Sequence, residues 1–419
     1  MTATASIPLV PAENSPGAAS AGRRARRPGS QGRMNYGALI TMMLMSFFLV
    51  TAEFLPSGML TRIADGLGVS SGQAGQMVAV TALGGLIAAP TVGLLFPRLN
   101  RRSLLVWLSI AAAVSNLVVA FAPGLVLVLA SRFLLGAAIS GFWAMSISVA
   151  AAIAGPERLG RAVMFNSAGV SLATVAGVPL GVMLGDAIGW RGVFVVAAAL
   201  SAVLAFGLRW LLPSVPAERA ASIAVLIGAL RRPGIALGVV ANVFVVTGHF
   251  LAYTYVRLAL ERVEAGGGTV GPDTIVVLLA LFGVGGLIGN LVFGAFVDRA
   301  YRVLAVLTPM TIAAFLLLVI ASAGSLGATG AAVFVWGFFF ASWLLVANTW
   351  VGGRMPDLLE AGGSLIVLGF QAGIMLAAGV GGAIVDAIGI VPVFVVGAAL
   401  LGVGGALFGL AGRSGRRSA

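Results

Sequence analysis

Gly84-Gly85-Leu86-Ile87, followed after five residues by Gly93 and then by Arg98, recurs as Gly285-Gly286-Leu287-Ile288, five residues, Gly294 and Arg299, at an offset of 201. Independently, Asp186-Ala187-Ile188-Gly189 with Val193-Phe194 recurs as Asp386-Ala387-Ile388-Gly389 with Val393-Phe394, at an offset of 200. Two separate matches at one spacing indicate a duplicated unit. Both copies lie among apolar runs of about 20 residues, long enough to cross a bilayer as helices. The whole chain has the same character: 60% of its 419 residues are hydrophobic and 9% charged, against about 25% charged in soluble domains. Twelve spans are predicted, near 36–57, 75–96, 103–122, 125–151, 161–184 and 192–212, then 235–258, 274–297, 303–322, 328–350, 363–385 and 391–411. The fold class is therefore an all-α membrane protein of two six-helix, pseudo-symmetric bundles. Six crossings return the chain to its starting side, so the two units share one orientation. Parallel repeats of this kind place a binding site at their mutual interface near the midplane.

The predicted organisation is a disordered cytoplasmic tail over 1–33, a bundle over 34–212, a cytoplasmic linker over 213–234, a second bundle over 235–412 and a short tail over 413–419. The linker carries a surface-lying helix within 217–230. All 25 basic residues are arginine. With the amino terminus inside, twenty arginines fall in inner segments and four, Arg62, Arg191, Arg257 and Arg262, in outer ones. That asymmetry places both termini in the cytoplasm. It also explains the net charge of +12 as a topology signal in the gaps between spans, not as a nucleic-acid surface. Cysteine is absent, which removes disulfides, thiolate metal sites and thiol catalysis. No HExxH, paired carboxylates within a span or nucleotide loop is present, so neither a metal nor another cofactor is expected and the chain does not read as an enzyme.

Polar groups inside the spans are the functional candidates, because they are costly in hydrocarbon. Between Tyr36 and Thr61 Glu53 is the only acidic or basic residue. It lies nine residues before Arg62, and Arg132 lies nine residues after Pro123. At 1.5 Å rise per residue both sit about 13 Å in from the outer side. An ion pair at matched depth is feasible, serving either as a structural lock or as a titratable, proton-accepting pair. His249, the one histidine, is a further proton-coupling candidate in the seventh span, or a solute contact, or else a hydrogen-bonded packing residue. Asn242 and Tyr253 share its helix. Trp336, Trp343 and Trp350 recur every seven residues on one face of the tenth span. They are a packing stripe, or Trp336 and Trp343 stack on a planar ligand; Trp143 in Gly141-Phe142-Trp143 poses the same choice. Gly177, Gly181 and Gly185, with Pro179 between, allow helices to approach closely, and Gly379, Gly381 and Gly382 form a looser counterpart.

Twelve spans in two repeats with these loops resemble the major facilitator superfamily. Gly294, Asp298, Arg299 and Arg302 follow its loop pattern. The first copy keeps Gly93, Arg98, Arg101 and Arg102 but has Pro97 at the aspartate position and Asn100 at the glycine position. Arg132 with Gly136 resembles the arginine motif of the fourth span, and Gly177-Val178-Pro179-Leu180-Gly181 resembles the fifth-span signature of exporters. Glu53-Phe54-Leu55-Pro56, Leu67-Gly68-Val69-Ser70, Gly141-Phe142-Trp143-Ala144-Met145-Ser146 and Gly189-Trp190-Arg191 are similar to the arabinose-efflux-like members of the 12-span drug-and-sugar antiporter group. Arg232-Pro233-Gly234, Tyr255-Val256-Arg257 and Ala361-Gly362-Gly363-Ser364 resemble its nucleoside exporters.

The resemblance implies a cavity lined by the first, fourth, seventh and tenth spans, which carry Glu53, Arg132 with Trp143, His249 with Asn242 and Tyr253, and the tryptophan stripe. It implies proton-coupled export of a nucleoside, sugar or amphiphilic drug by alternating access, in a bacterial inner membrane, by a chain working as a monomer. The partners are then the solute, the proton and the lipid bilayer. A multidrug exporter, an uptake permease or facilitator, and more remotely a membrane enzyme or sensor are the alternatives.

Overall fold

The computed structural model describes residues 35–96, 98–154, 159–216 and 223–414. The predicted tail over 1–33 and the last five residues lie outside the described residues. The remainder is helical apart from short connections and one small hairpin: α1 (Tyr36–Gly58), α2 (Leu60–Leu67), α3 (Ser71–Leu95), α4 (Arg101–Phe121), α5 (Leu125–Ala154), α6 (Leu159–Leu172), a π-helical turn (Ala173–Gly177), α7 (Val178–Leu211), α8 (Ile223–Leu230), α9 (Ile235–Thr254) and α10 (Val256–Leu260). Strands β1 (Glu264–Ala265) and β2 (Gly268–Thr269) follow. The chain closes with α11 (Pro272–Gly294), α12 (Val297–Ala321), α13 (Leu326–Ala341), α14 (Trp343–Gly352), α15 (Leu359–Ile388) and α16 (Ile390–Ser414).

Eleven helical stretches among the described residues are long and apolar enough to cross a membrane. One of them, Ala168–Leu211, has 44 residues, about 66 Å of helix, twice a bilayer's hydrocarbon core. It is two spans. Gly189 interrupts it at φ 74°, ψ 156°, a conformation that favours glycine. Before this point the chain runs alongside α1, with Gly177 against Thr51, Gly181 against Leu55 and Gly185 against Met59. Beyond it the chain returns, Gly207 meeting Thr41 and Asn35 Nδ2 donating to the Leu211 carbonyl. The expected loop near 185–191 is thus a single-residue reversal. Gly389, ending the repeated Asp-Ala-Ile-Gly, takes φ 84° between α15 and α16. The described residues thus make twelve crossings.

Small residues set the helix crossings. A Cβ on Gly84 would collide with the Phe133 carbonyl, and one on Gly285 with the Phe334 carbonyl. Likewise Gly136 lies on the Thr81 carbonyl and Gly337 on the Phe282 carbonyl. The α3–α5 and α11–α13 crossings therefore use the same positions at the offset of 201. With no water to drive apolar association in a bilayer, such close approach is a main source of packing energy. Large apolar side chains such as Phe121, Phe206 and Leu291 stay exposed, as lipid-facing residues do.

Several expected boundaries move. Arg101 and Arg102 begin α4, and Asp298, Arg299 and Arg302 fall in the first turns of α12; they were expected in loops. Charged first turns extend these helices beyond their apolar runs. The tenth span breaks into α13 and α14 at Ser342, and the linker helix starts at Ile223, with 217–222 outside the described residues. The amphipathic α2 and the β1–β2 hairpin had no counterpart in the expected spans. Asn35 and Ser414 lie on one face of the bundle, called here the terminal face; Gly58, Ser70 and Asp386 lie toward the far face.

Candidate functional site

Arg132 and Glu53 do meet, but not as an ion pair. Arg132 is fully buried and Glu53 is 6% exposed. Arg132 Nη2 donates to the backbone carbonyls of Ala52 at 2.7 Å and Glu53 at 3.2 Å, and its Nε donates to Thr81 Oγ1 at 3.1 Å. Pro56 explains the choice. It lies inside α1 and, lacking an N–H, cannot donate to the carbonyl four residues earlier, that of Ala52. In a membrane a freed carbonyl has to be satisfied by a neighbouring group. Arg132 supplies it. The guanidinium thus ties α5 to α3 and to the interrupted turn of α1. Glu53 Oε1 and Arg132 Nη1 are buried with no hydrogen-bond partner among the described residues.

Phe54 carries α1 across to the other six spans. Its ring stacks on Phe250 at 5.4 Å and meets Tyr253 edge-on at 5.6 Å. Those residues belong to an aromatic nest around His249, with Phe282, Trp336 and Phe340; His249 lies face to face with Phe340. Trp336 Nε1 donates to His249 Nδ1 at 3.0 Å, so this nitrogen is an acceptor and the imidazole proton lies on Nε2. One heptad on, Trp343 Nε1 donates to Asn242 Oδ1 at 3.0 Å, while Asn242 Nδ2 donates to the Ile366 carbonyl. Trp350 covers Gly238.

The tryptophan stripe therefore zips α13 and α14 to α9; its side chains are buried, and the N–H groups of Trp336 and Trp343 are used. Of the two readings open for Trp336 and Trp343, packing stripe or ligand-stacking faces, this conformation displays the packing contacts. Asn242 is equally enclosed. Tyr253 borders the seam between the two sets of six spans, and Trp143, half-buried on α5, meets Phe142 edge-on. Phe54, Phe250, Phe282 and Phe340 were not singled out in the sequence; only the adjacency of Phe54 to Glu53 pointed to them.

The polar contacts between the two sets of spans run from the far face to mid-depth. Arg257 donates from Nη1 to the Gly58 carbonyl at 2.7 Å and from Nε to Thr61 Oγ1 and Glu261 Oε1. Thr61 Oγ1 in turn donates to Glu261. Asp386 accepts from Ser70 Oγ at 2.5 Å and from the Gly72 amide at 2.9 Å, capping α3 from the other half. Below it, Gly72 packs on Gly382, Gly75 on the Tyr255 hydroxyl and Gly85 on Gln371, whose Nε2 donates to Ser140 Oγ. Arg62, beside this seam, pairs with Asp186. Its pKa is lowered by its own partial burial and then by the Arg257 charge. The π turn contributes too: Gly283 of α11 lies directly on Thr174 and Val175, and π turns recur at functional sites.

At the terminal face Asn100 caps α4 through the Arg102 amide and donates to Ser214 Oγ at 2.6 Å. The Arg101 amide donates to the Val215 carbonyl, and Arg102 Nη1 to that of Leu212. The departure from the expected glycine thus serves to hold the start of the linker. Arg98 is exposed in the turn before α4, and Gly93 is in the last turns of α3. In the second copy Gly294 ends α11 with open space around it, Asp298 and Arg299 lie in the first turn of α12, and Arg302 lies over Tyr301. Arg232 grips Asp357 with both nitrogens, at 2.6 and 2.5 Å, which holds the Asp357 carboxyl down at about 2. The structure brings Glu53 and Arg132 together and joins His249 to Trp336; the loop arginines form separate groups at the terminal face.

Twelve spans with paired crossings at one offset define a multi-span transporter fold. Residues 42–365 match the Major Facilitator Superfamily, and the chain belongs to that superfamily, whose members are transporters and not enzymes. It is 32% identical over 387 residues, 91% of this chain and 94% of the relative, to the Transcription regulatory protein OpdE of Pseudomonas aeruginosa. It is 32% identical over 359 residues, 85% and 89% of the two chains, to the Purine ribonucleoside efflux pump NepI of Escherichia coli (strain K12). Among solved structures, the nucleoside transporter NupG matches with a TM-score of 0.72 at 13% identity, covering 91% of this chain and 100% of that one. A bacterial homolog of the human lysosomal transporter Spinster matches with a TM-score of 0.67 at 17% identity, covering 93% and 99%. The structural likenesses speak to the fold alone. The chain is a membrane transporter of a small-molecule solute.

Proposed function

We propose that this chain exports a small polar solute across a bacterial inner membrane in exchange for protons, by alternating access, with both termini cytoplasmic. Nucleosides are the first class to test, given the similarity to a purine ribonucleoside efflux pump. The observation that carries the proposal is Glu53: a buried carboxyl with Oε1 unpartnered among the described residues, beside Arg132 and one residue from the aromatic seam between the halves. An intramembrane acid is a functional-site candidate by default, and proton carriage is one of the roles such residues serve. Opening the far face would wet it, and closing that face would dry it. Arg132 holds the turn of α1 that presents the carboxyl, and Phe54 links that turn to the nest around His249. His249 is a packing group in this reading, enclosed by the aromatic nest with its Nδ1 engaged by Trp336.

The terminal face is cytoplasmic here because it carries the arginine-rich segments. Arg98, Arg101, Arg102, Asp298, Arg299 and Arg302 rearrange there as that face opens and closes. The glycine contacts of Gly177 and Gly181, with Pro179 in the same turn, let α1 and α7 slide as the halves rock. The aromatic composition of the seam supports a second reading, an exporter of amphiphilic drugs, since planar faces tolerate varied apolar ligands. Reconstituted vesicles loaded with labelled adenosine or inosine, with an imposed pH gradient, test the proposal. Uphill export that collapses with the gradient, and is lost in Glu53→Gln while downhill exchange persists, is expected. Wild-type uphill export by Glu53→Gln would sink the coupling role, and uphill uptake would overturn the direction.

A further inference from the structure

On the outside of the bundle, remote from Glu53, an apolar groove of about 640 Å³ runs between α4 and the second span of α7. Its lining includes Ala113, Ala198, Ala199, Ala202 and Ala205. The trough exists because of these small side chains; Trp107 and Trp210, both largely exposed, stand near its terminal-face end. Val106 and Leu117 belong to the same lining, and their separation along α4 is about 16 Å. That is close to one leaflet's hydrocarbon depth of about 15 Å. Ser109 Oγ donates to the Ser201 carbonyl and Arg102 Nη1 to the Leu212 carbonyl, so the two helices run side by side in fixed register.

Both stripes that wall the groove end on an arginine at the terminal face. Arg209 itself lines the groove, is exposed, and has no carboxylate partner among the described residues. Arg102 sits one helical turn before Val106. In the second half, the α12–α16 pair packs differently: Gly405 draws in against Pro309 and Met310.

We propose that this groove is a binding site for an anionic phospholipid of the terminal-face leaflet, one acyl chain lying in the alanine trough and the phosphate held by Arg209. The chemistry is apolar over one leaflet's depth and cationic where the headgroups begin. A zwitterionic lipid fits the trough equally but gains less from Arg209. The site lies away from the solute path, so its failure and the failure of the export reading are independent.

The test is native mass spectrometry of the protein taken from vesicles containing equal phosphatidylglycerol and phosphatidylcholine with identical acyl chains. Wild type should retain phosphatidylglycerol preferentially. Arg209→Gln should lower that preference about fivefold, the scale of one arginine near an anionic headgroup. Ala202→Phe, at a lipid-facing position, should remove the retained lipid of both kinds; Ala199→Leu takes its place if that variant does not fold. Leu291→Phe, lipid-facing in the other half, should change nothing. Equal retention of the two lipids, or unaltered retention when the trough is filled, would reduce the groove to ordinary annular lipid and overturn the proposal.

Discussion

Pro56 and Arg132 should be energetically coupled although their side chains serve different helices. Arg132→Gln removes a charged hydrogen bond to the Ala52 carbonyl, worth about 1.5–3 kcal/mol, and leaves a buried acceptor unmet, at about 1–3 kcal/mol more. The acceptor lacks a donor only because residue 56 is proline. Pro56→Ala restores an amide that reaches the same carbonyl along the helix. In that background Arg132→Gln no longer strands the carbonyl, so its cost should fall by about 1–3 kcal/mol. Four proteins, wild type, both single variants and the double, form a cycle whose unfolding is read by urea titration in detergent micelles or by thermal melts. Pro56→Ala alone should gain stability, because interior proline costs a helix about 3 kcal/mol. Additivity within about 0.5 kcal/mol would refute the reasoning, since it would mean that Arg132 does not stand in for the missing amide.

Three further outcomes follow from the contacts. Asp386→Ala removes the cross-half cap on α3; discounted for its exposure, the loss of about 1–2 kcal/mol corresponds to a five- to thirtyfold shift toward far-face opening. The chain has no cysteine, so Gln76→Cys gives a single thiol whose impermeant-maleimide labelling should accelerate; an unchanged rate counts against the latch. Gly136→Ala places a methyl against the Thr81 carbonyl and should destabilise by about 1–3 kcal/mol, read as a lowered melting temperature, whereas Gly294→Ala, facing open space, should not. The depressed carboxyl of Asp357 contributes stability fully above its ordinary value of 3.8 and loses it as pH falls through about 2. The melting difference between wild type and Asp357→Asn should therefore stay flat from pH 5 to 8, as measured by scanning fluorimetry; a difference that vanishes within that window contradicts the bidentate pairing.

The apolar runs made most of the spans legible, because span length is set by the bilayer and not by neighbours. Gly189 shows the limit: a reversal that takes one residue leaves no polar gap to read. At Asp298–Arg302 the opposite happens, since charged residues mark the end of the hydrocarbon but not the end of the helix. The equal depth of Glu53 and Arg132 was countable along the chain. That Arg132 would spend its nitrogens on carbonyls, and not on the carboxylate, depends on Pro56, whose missing amide is visible in sequence but whose nearest donor is not. The heptad of tryptophans was plain as a stripe, yet its partner helix was decided by Asn242 and His249 offering acceptors seven residues apart. Gln371 and Ser140 met across the seam without any local signal beyond being polar in apolar runs.

The linker between the halves is held at both ends. Residues 212–215 are fastened to the start of α4, and Arg232, just beyond α8, is clasped to Asp357 of the second half. Val215, the last of those fastened residues, and Ile223, the first residue of α8, are joined by eight residue steps of chain. Fully drawn out, those eight steps reach about 26–29 Å. That contour length is an upper limit on how far Val215 and Ile223 can part, and in the proposed alternating-access cycle it would limit opening of the terminal face. Shortening it should stall the cycle with that side shut, while lengthening it should leave the cycle unchanged.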